Sequence, residues 1–210
     1  MPSTQPYDDH EALVRAVSPT RVEVSEAARQ ARLPPAVRSL HREVLSYFLQ
    51  SGHGPGWEWL RGRASGLDLE PQQAVGMLEV ADLMHRDHHD DVVVVAYPFS
   101  GVQTRHRVEL DGTAPVWAMC AVDALGIPLM TGHDGVIESA DPTSGEPVRI
   151  GFADGRWSWS PDSTIVLSAR GGEAGPSSCC SCPHINFHTH PDHARAYLAD
   201  HPALAGLMLD

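Results

Sequence analysis

An α+β architecture is the fold class this sequence predicts, and three observations predict it. Apolar residues recur at helical spacing through the first 80 or so positions. From residue 92 onward, short strand-like runs alternate with Gly, Pro and Asp turns. Two further apolar helical patterns, around residues 116–130 and 190–204, are set among those strands. Helices first and mixed strands afterwards is the order of an α+β chain, not the strict alternation of a parallel α/β sheet. The 210 residues suffice for one domain with a good core, or for a small domain fused to a larger one.

Taken in order, residues 1–34 read as a polar N-terminal arm with a helical hint in "EVSEAARQARL", closed by Pro34-Pro35. In "AVRSLHREVLSYFLQ", residues 36–50, Val37, Leu40, Val44, Leu45 and Phe48 fall on one helical face, and "SGHGPG" then breaks the helix. "WEWLRGRASG" and "EPQQAVGMLEVADLMHRD" read as two more helices, the second opened by Glu70-Pro71. "DDVVVVAYPFS" follows as a strand. Three helices and a strand suggest a helix-turn-helix or winged-helix module over residues 35–97. With few basic residues here, a packing or capping role is favoured over DNA reading. "HRDHHDD" reads as a solvated turn rather than a metal site, because it implies no fixed ligand geometry.

The second part, residues 98–210, begins with the strand "TRHRVEL" and the turn "DGTAP". "VWAMCAVDALGIPLM" is long and apolar enough for a helix. "DGVIESADPTSGEPVRIGFADGRWSWSPDSTIVLSA" reads as several short strands, and "PHINFH" as another. "HPDHARAYLADHPAL" returns to helix, with Pro191 near its start and Asp192 in its first turn. No internal repeat is visible.

Charge narrows the function classes. With 15 basic and 27 acidic residues the formal charge is −12, which opposes nucleic-acid binding. No apolar run is long enough to span a bilayer, and the N-terminus lacks the basic start and apolar stretch of a secretory signal. The expectation is a cytoplasmic protein with neither nucleic acid nor membrane as partner. In that compartment its four cysteines are better suited to metal binding or catalysis than to structural disulfides.

Those cysteines occupy two places. Cys120 and Asp123 lie three apart in the apolar "VWAMCAVDALG". On a helix that spacing sets thiol and carboxyl on one face. Burial and a neighbouring thiolate both raise a carboxyl pKa, and a carboxyl that holds a proton near neutrality can act as a general acid. The plainer reading makes Cys120 a small core residue and lets Asp123 bond backbone. The remaining cysteines, Cys179, Cys180 and Cys182, crowd into four residues after the flexible "GGEAGPSS". Such crowding is hard to explain as packing, and soft thiolates select soft or borderline metals. The spacing is not that of a zinc finger. His184, His188 and His190 are further possible ligands.

A soft metal held between thiolates beside a proton donor suits cleavage of a carbon–metal bond. The thiolates push electron density onto the metal, the attached carbon becomes basic, the acid protonates it, and the metal stays on sulfur. A thiol-rich metal chaperone or sensor capturing Hg(II) or Cu(I) is the rival reading. Asp123 separates the two, because a pure chelator gains nothing from a buried acid. A metal-responsive winged-helix regulator is third, opposed by the charge and by the lack of a basic recognition helix.

The chain resembles the organomercurial (alkylmercury) lyase family across roughly residues 36–207. "YPFSGVQTRHRVELDG", "WAMCAVDALGIPLM", "DPTSGEPVRI" and "SCPHINFH" carry the resemblance, in the family's order and spacing. It implies a lyase in which Cys120 captures the organomercurial, Cys182 is the second thiol on the metal, and Asp123 activates a thiol and then protonates the leaving carbon. A small loop shift would substitute Cys180 or Cys179 for Cys182. It also implies an N-terminal winged-helix-like domain with a structural role, ahead of a mixed sheet-and-helix catalytic core. No organic cofactor is implied. Hg(II) is the bound product, cellular thiols are its acceptors, and a mercuric reductase is a downstream partner. Four departures are visible. Asp141 stands where the family often has a structural cysteine, Phe187-His188 replaces two aromatics, the chain stops at Asp210, sooner than the family pattern leads one to expect, and the N-terminal arm of residues 1–34 is longer than that pattern.

Overall fold

The computed structural model describes residues 26–87, 89–171 and 175–209. The fold is α+β, as the order of sequence patterns predicts. Residues 1–25 of the predicted arm lie outside the described residues, and its helical hint is realised as α1 (Glu26–Ala31). Helices α2 (Pro35–Ser51), α3 (Trp57–Gly66) and α4 (Pro71–Val80) follow. Val37, Leu40, Val44 and Phe48 of α2 are buried, which is the predicted stripe, with Leu45 packed at its edge. Pro71 sits in the first turn of α4, and the Glu70 carboxylate accepts from the amides of Gln72 and Gln73 to cap it.

The third predicted helix is shorter than its pattern. It ends at Val80, and Met84–Asp87 is instead a strand, β1, hairpinned to β2 (Val92–Ala96). Asp82 takes a left-handed conformation (φ 51°), which a continuing helix does not allow, and its carboxylate is engaged by Arg29 and His85. His89 and Asp90 at the tip of that hairpin are exposed, in keeping with a solvated turn.

Strands β3 (Phe99–Ser100), β4 (His106–Leu110), β5 (Val116–Ala118), β6 (Gly135–Ala140), β7 (Pro147–Ala153) and β8 (Arg156–Ser160) complete an antiparallel sheet in the order β1-β2-β3-β5-β4-β6-β7-β8. β7 and β8 are joined at Asp154-Gly155, both left-handed, the two-residue connection that the "DG" signal favours. A second sheet places β9 (Ile165–Arg170) between β10 (Ile185–His188) and β11 (Ala205–Leu209). Helix α5 (Ala121–Thr131) packs on β4, β5 and β10 and so lies between the two sheets' contributions to the core.

Two more boundaries differ from the sequence expectation. Residues 116–130 are not one helix. Val116–Ala118 pairs on both edges, with Phe99 opposite Ala118 and Val116 opposite Val108, so cross-strand pairing overrides the apolar run's helical potential. The last helix, α7 (Pro191–Asp200), stops short of residue 204 because His201 precedes Pro202 and leaves the α region, with ψ near 67°. The chain then returns as β11 beside β9.

The helices are sewn directly to the sheet. A Cβ added to Gly54 would lie 1.9 Å from the Val93 carbonyl oxygen, so only glycine permits that approach. The Val93 amide donates to Pro55 O at 2.9 Å beside it. One continuous apolar cluster runs from Leu33 and Phe48 through Phe99 to Cys120, Ile150 and Phe187.

Candidate thiol–carboxylate site

Cys120 is the N-cap of α5, with extended backbone (φ −155°). Its sulfur accepts from the Asp123 amide at 3.4 Å, and its S–H donates to Asp123 Oδ2 at 2.9 Å. The two side chains therefore meet as a reciprocal cap at a strand-to-helix turn, in the manner of a capping box, and not across a continuous helix face. The i, i+3 spacing brings them together by either route, but the cap also fixes where the thiol points.

Cys182 opens a 3₁₀ turn (Cys182–His184) between α6 (Ser177–Cys180) and β10. The sulfurs of Cys120 and Cys182 and a carboxylate oxygen of Asp123 all lie within 4.8 Å of one another. Cys120 is 3% exposed and Cys182 6%, while Asp123 is half-buried. Burial, followed by the adjoining Cys182 thiol and the Asp123 carboxylate, pushes the Cys120 thiol well above its ordinary range. At rest Cys120 is thus a thiol whose proton already points at a carboxylate.

Cys179 is exposed and Cys180 half-buried, and neither joins this cluster. The histidines also lie outside it. His184 Nδ1 pairs with Tyr197 Oη at 2.9 Å, His188 is fully buried 3.4 Å from Asp141, and His190 caps α7. Among the described residues, Cys120, Asp123 and Cys182 form the single group with metal-ligand geometry.

Cys182 lines an open cleft of about 530 Å³, together with the apolar Val95, Val102 and Met119 and the polar Arg105, His106 and Asn186. Burial lowers the His106 pKa to about 4, so its ring is neutral at physiological pH.

Sequence reasoning missed what holds the second thiol in place. The Ser178 amide donates to Tyr97 Oη at 2.7 Å, and Tyr97 in turn donates to Asp82 Oδ1 at 3.3 Å. Asp82 Oδ2 accepts from the Ser177 amide, the Ser177 hydroxyl and Arg29. Burial alone would raise the Asp82 carboxyl, but the hydrogen bonds from His85, Ser177 and Arg29 outweigh it and hold the pKa at about 2. The turn after α4 therefore anchors the cysteine-bearing segment some 95 residues away. No local signal in "EVADL" or "VAYPF" announces this, because each partner is ordinary in its own sequence neighbourhood.

Asp141 is a second anchor. Its fully buried carboxylate accepts from the amides of Thr143, Ser144 and Thr189, from the Thr189 hydroxyl, and pairs with His193. It ties the β6–β7 turn to the end of β10 and the start of α7.

Fold and site together define a class: an α+β protein with two buried thiols clustered beside one carboxyl group. Residues 99–210 match the alkylmercury lyase family, and the chain belongs to it. The alkylmercury lyase of Staphylococcus epidermidis is 31% identical over 110 residues, 52% of this chain and 50% of that protein. That of Pseudomonas putida is 25% identical over 141 residues, 67% of this chain and 65% of that one. The chain thus spans about half the length of the Staphylococcus relative. Among solved structures, the mercury-bound form of MerB2 superposes with a TM-score of 0.73, covering 88% of both chains at 21% identity, which is a likeness of fold.

Proposed function

We propose that this protein cleaves carbon–mercury bonds by protonolysis. The observation that carries the reading is the convergence of two buried sulfurs and one carboxylate within 4.8 Å, with the Cys120 proton already hydrogen-bonded to Asp123. The organomercurial R–Hg–X enters the cleft beside Cys182. Cys120 sulfur bonds to mercury, and its proton passes to Asp123. Cys182 adds as the second thiolate and raises the electron density on the attached carbon. Asp123 delivers a proton to that carbon, and R–H departs. The two thiol protons end on R and X, while Hg(II) remains between the two sulfurs. No electrons change hands. Asp123 supports this over a metal-binding protein without lyase activity, since a chelator has no use for an acid hydrogen-bonded to its ligand.

The rest of the reading follows from the same chemistry. The reaction calls for no organic cofactor. Its product leaves by exchange with cellular thiols, with a mercuric reductase as downstream acceptor. A reducing cytoplasm suits a protein in which none of the four cysteines forms a disulfide. Among the described residues no helix is long and apolar enough to cross a membrane. The helices α2–α4 followed by the β1–β2 hairpin have the element order of a winged-helix-like unit, here in a supporting role through Asp82 and Tyr97.

The deciding experiment supplies methyl- or phenylmercury with excess thiol and measures methane or benzene. Release by the wild type, lost in Cys120→Ser and in Cys182→Ser, is the expected result. Tight Hg(II) binding without any hydrocarbon would overturn the reading in favour of a soft-metal binder.

A further inference from the structure

We propose that Cys179 and Cys180 form a second, outer dithiol site that takes Hg(II) from the inner Cys120–Cys182 pair and passes it to thiols in solution. The inference rests on the lyase reading. Its basis is a pair of sulfurs that the cleavage chemistry leaves unused. The Sγ atoms of Cys179 and Cys180 lie 3.1 Å apart on α6, Cys179 exposed and Cys180 half-buried. The Cys179 S–H also donates to Pro176 O at 3.2 Å. The chain wraps closely over the pair: a Cβ added to Gly175 would lie 2.7 Å from the Cys180 sulfur and 3.5 Å from that of Cys179. An exposed Cys179 packs no core, so burial does not explain its presence, whereas two adjacent soft donors match a soft metal ion.

Position supplies the second part. The pair sits in the chain between Ser178 and Cys182, and both of those residues line the cleft. Hg(II) held by Cys120 and Cys182 lies between residues only 3% and 6% exposed, poorly placed for attack by a solution thiol. A dithiol two residues from Cys182 attacks at high effective concentration instead. The transfer is a ligand exchange. Two mercury–sulfur bonds to Cys179 and Cys180 form as those to Cys120 and Cys182 break, and two protons pass from the outer thiols to the inner ones. A solution dithiol then repeats the exchange at the surface.

The test uses the full chain, reduced, with mercuric chloride as probe and excess monothiol so that only dithiol sites retain metal after desalting. Wild type should hold two equivalents, Cys179→Ser/Cys180→Ser one, and Cys120→Ser/Cys182→Ser one. Loaded with a single equivalent, wild type should release Hg(II) to the dithiol dithiothreitol on the order of 10²-fold faster than Cys179→Ser/Cys180→Ser, the advantage that a short tether confers. Single-turnover hydrocarbon release should be the same in both. A single retained equivalent in wild type, or equal release rates, overturns the relay. So does loss of single-turnover cleavage in Cys179→Ser/Cys180→Ser, which would place these thiols in the cleavage step. The binding and release arms start from inorganic Hg(II), so failure of the lyase reading shows separately, as wild type that yields no hydrocarbon.

Discussion

At the scale of single residues, one proton is shared between the Cys120 thiol and the Asp123 carboxylate. The Cys120 thiol is too buried to ionise by itself, and Asp123 stands 2.9 Å away, where the proposed mechanism has it receive the proton as mercury displaces it. Asp123→Asn keeps the cap geometry and both sulfurs but has no carboxyl to hold a proton. It should still bind Hg(II) with two thiolates, while hydrocarbon release falls by about 10²- to 10⁴-fold, the usual range for a general acid. Gas chromatography of released benzene beside Hg(II) titration checks the split, and equal loss of both would assign Asp123 to metal binding alone. Asp141 shows the opposite use of a buried acid. It is held at about 2 despite burial because three amides and His193 donate to it. Asp141→Ala strands those donors in the interior and should cost about 2–4 kcal/mol, read from the urea midpoint. A variant as stable as wild type would show that water replaces the carboxylate without loss.

At the scale of elements, the pairing of α6 and the 3₁₀ turn with the helical region decides whether Cys182 meets Cys120. The contact runs through Ser177 and Ser178 to Asp82 and Tyr97. Tyr97→Phe removes one hydroxyl and leaves the Ser178 amide without its acceptor. The expected loss is about 1–2 kcal/mol of stability. Because the loosened segment carries Cys182, iodoacetamide should also alkylate Cys182 faster than in wild type, followed by peptide mass spectrometry. Unchanged alkylation would mean that β10 alone fixes the turn. The same scale explains the misread boundaries. Helix α5 begins five residues later than its apolar pattern because β5 is claimed on both edges by β3 and β4, and that claim places Cys120 at a helix N-terminus.

At the scale of the whole molecule, burial of neutral histidines and ionised aspartates makes the fold sensitive to acid in two stages. His41 and His106 are both lowered to about 4 by burial, against 6.5 for the free side chain. The unfolded chain therefore takes up protons first as the pH falls, and stability drains between about pH 6.5 and 4, on the order of 2–3 kcal/mol for each histidine. Asp82 and Asp141, at about 2 in the fold against 3.8, extend the loss from about pH 4 down to 2. Thermal unfolding at pH 7.5, 5.5 and 4.5 checks the first stage. His41→Gln should flatten its slope, and a melting temperature level from pH 7.5 to 4.5 would contradict neutral burial. The net charge of −12 adds a uniform repulsion at neutral pH but does not select these sites.

The sequence by itself determined the α+β class, the burial stripe of α2 and the Cys120–Asp123 pair, because each depends on patterns within short stretches of chain. Its resemblance to the alkylmercury lyase family rested on motifs of the same local kind. Which of Cys179, Cys180 and Cys182 would face Cys120 was a matter for the tertiary structure alone. The helices and strands between Cys120 and Cys182 fix that distance, and the anchors Asp82, Tyr97 and Asp141 act across gaps that no local pattern spans. Sulfur atoms have to be brought within a few ångströms of one carboxylate to share a metal and a proton, and only long-range packing sets separations of that size.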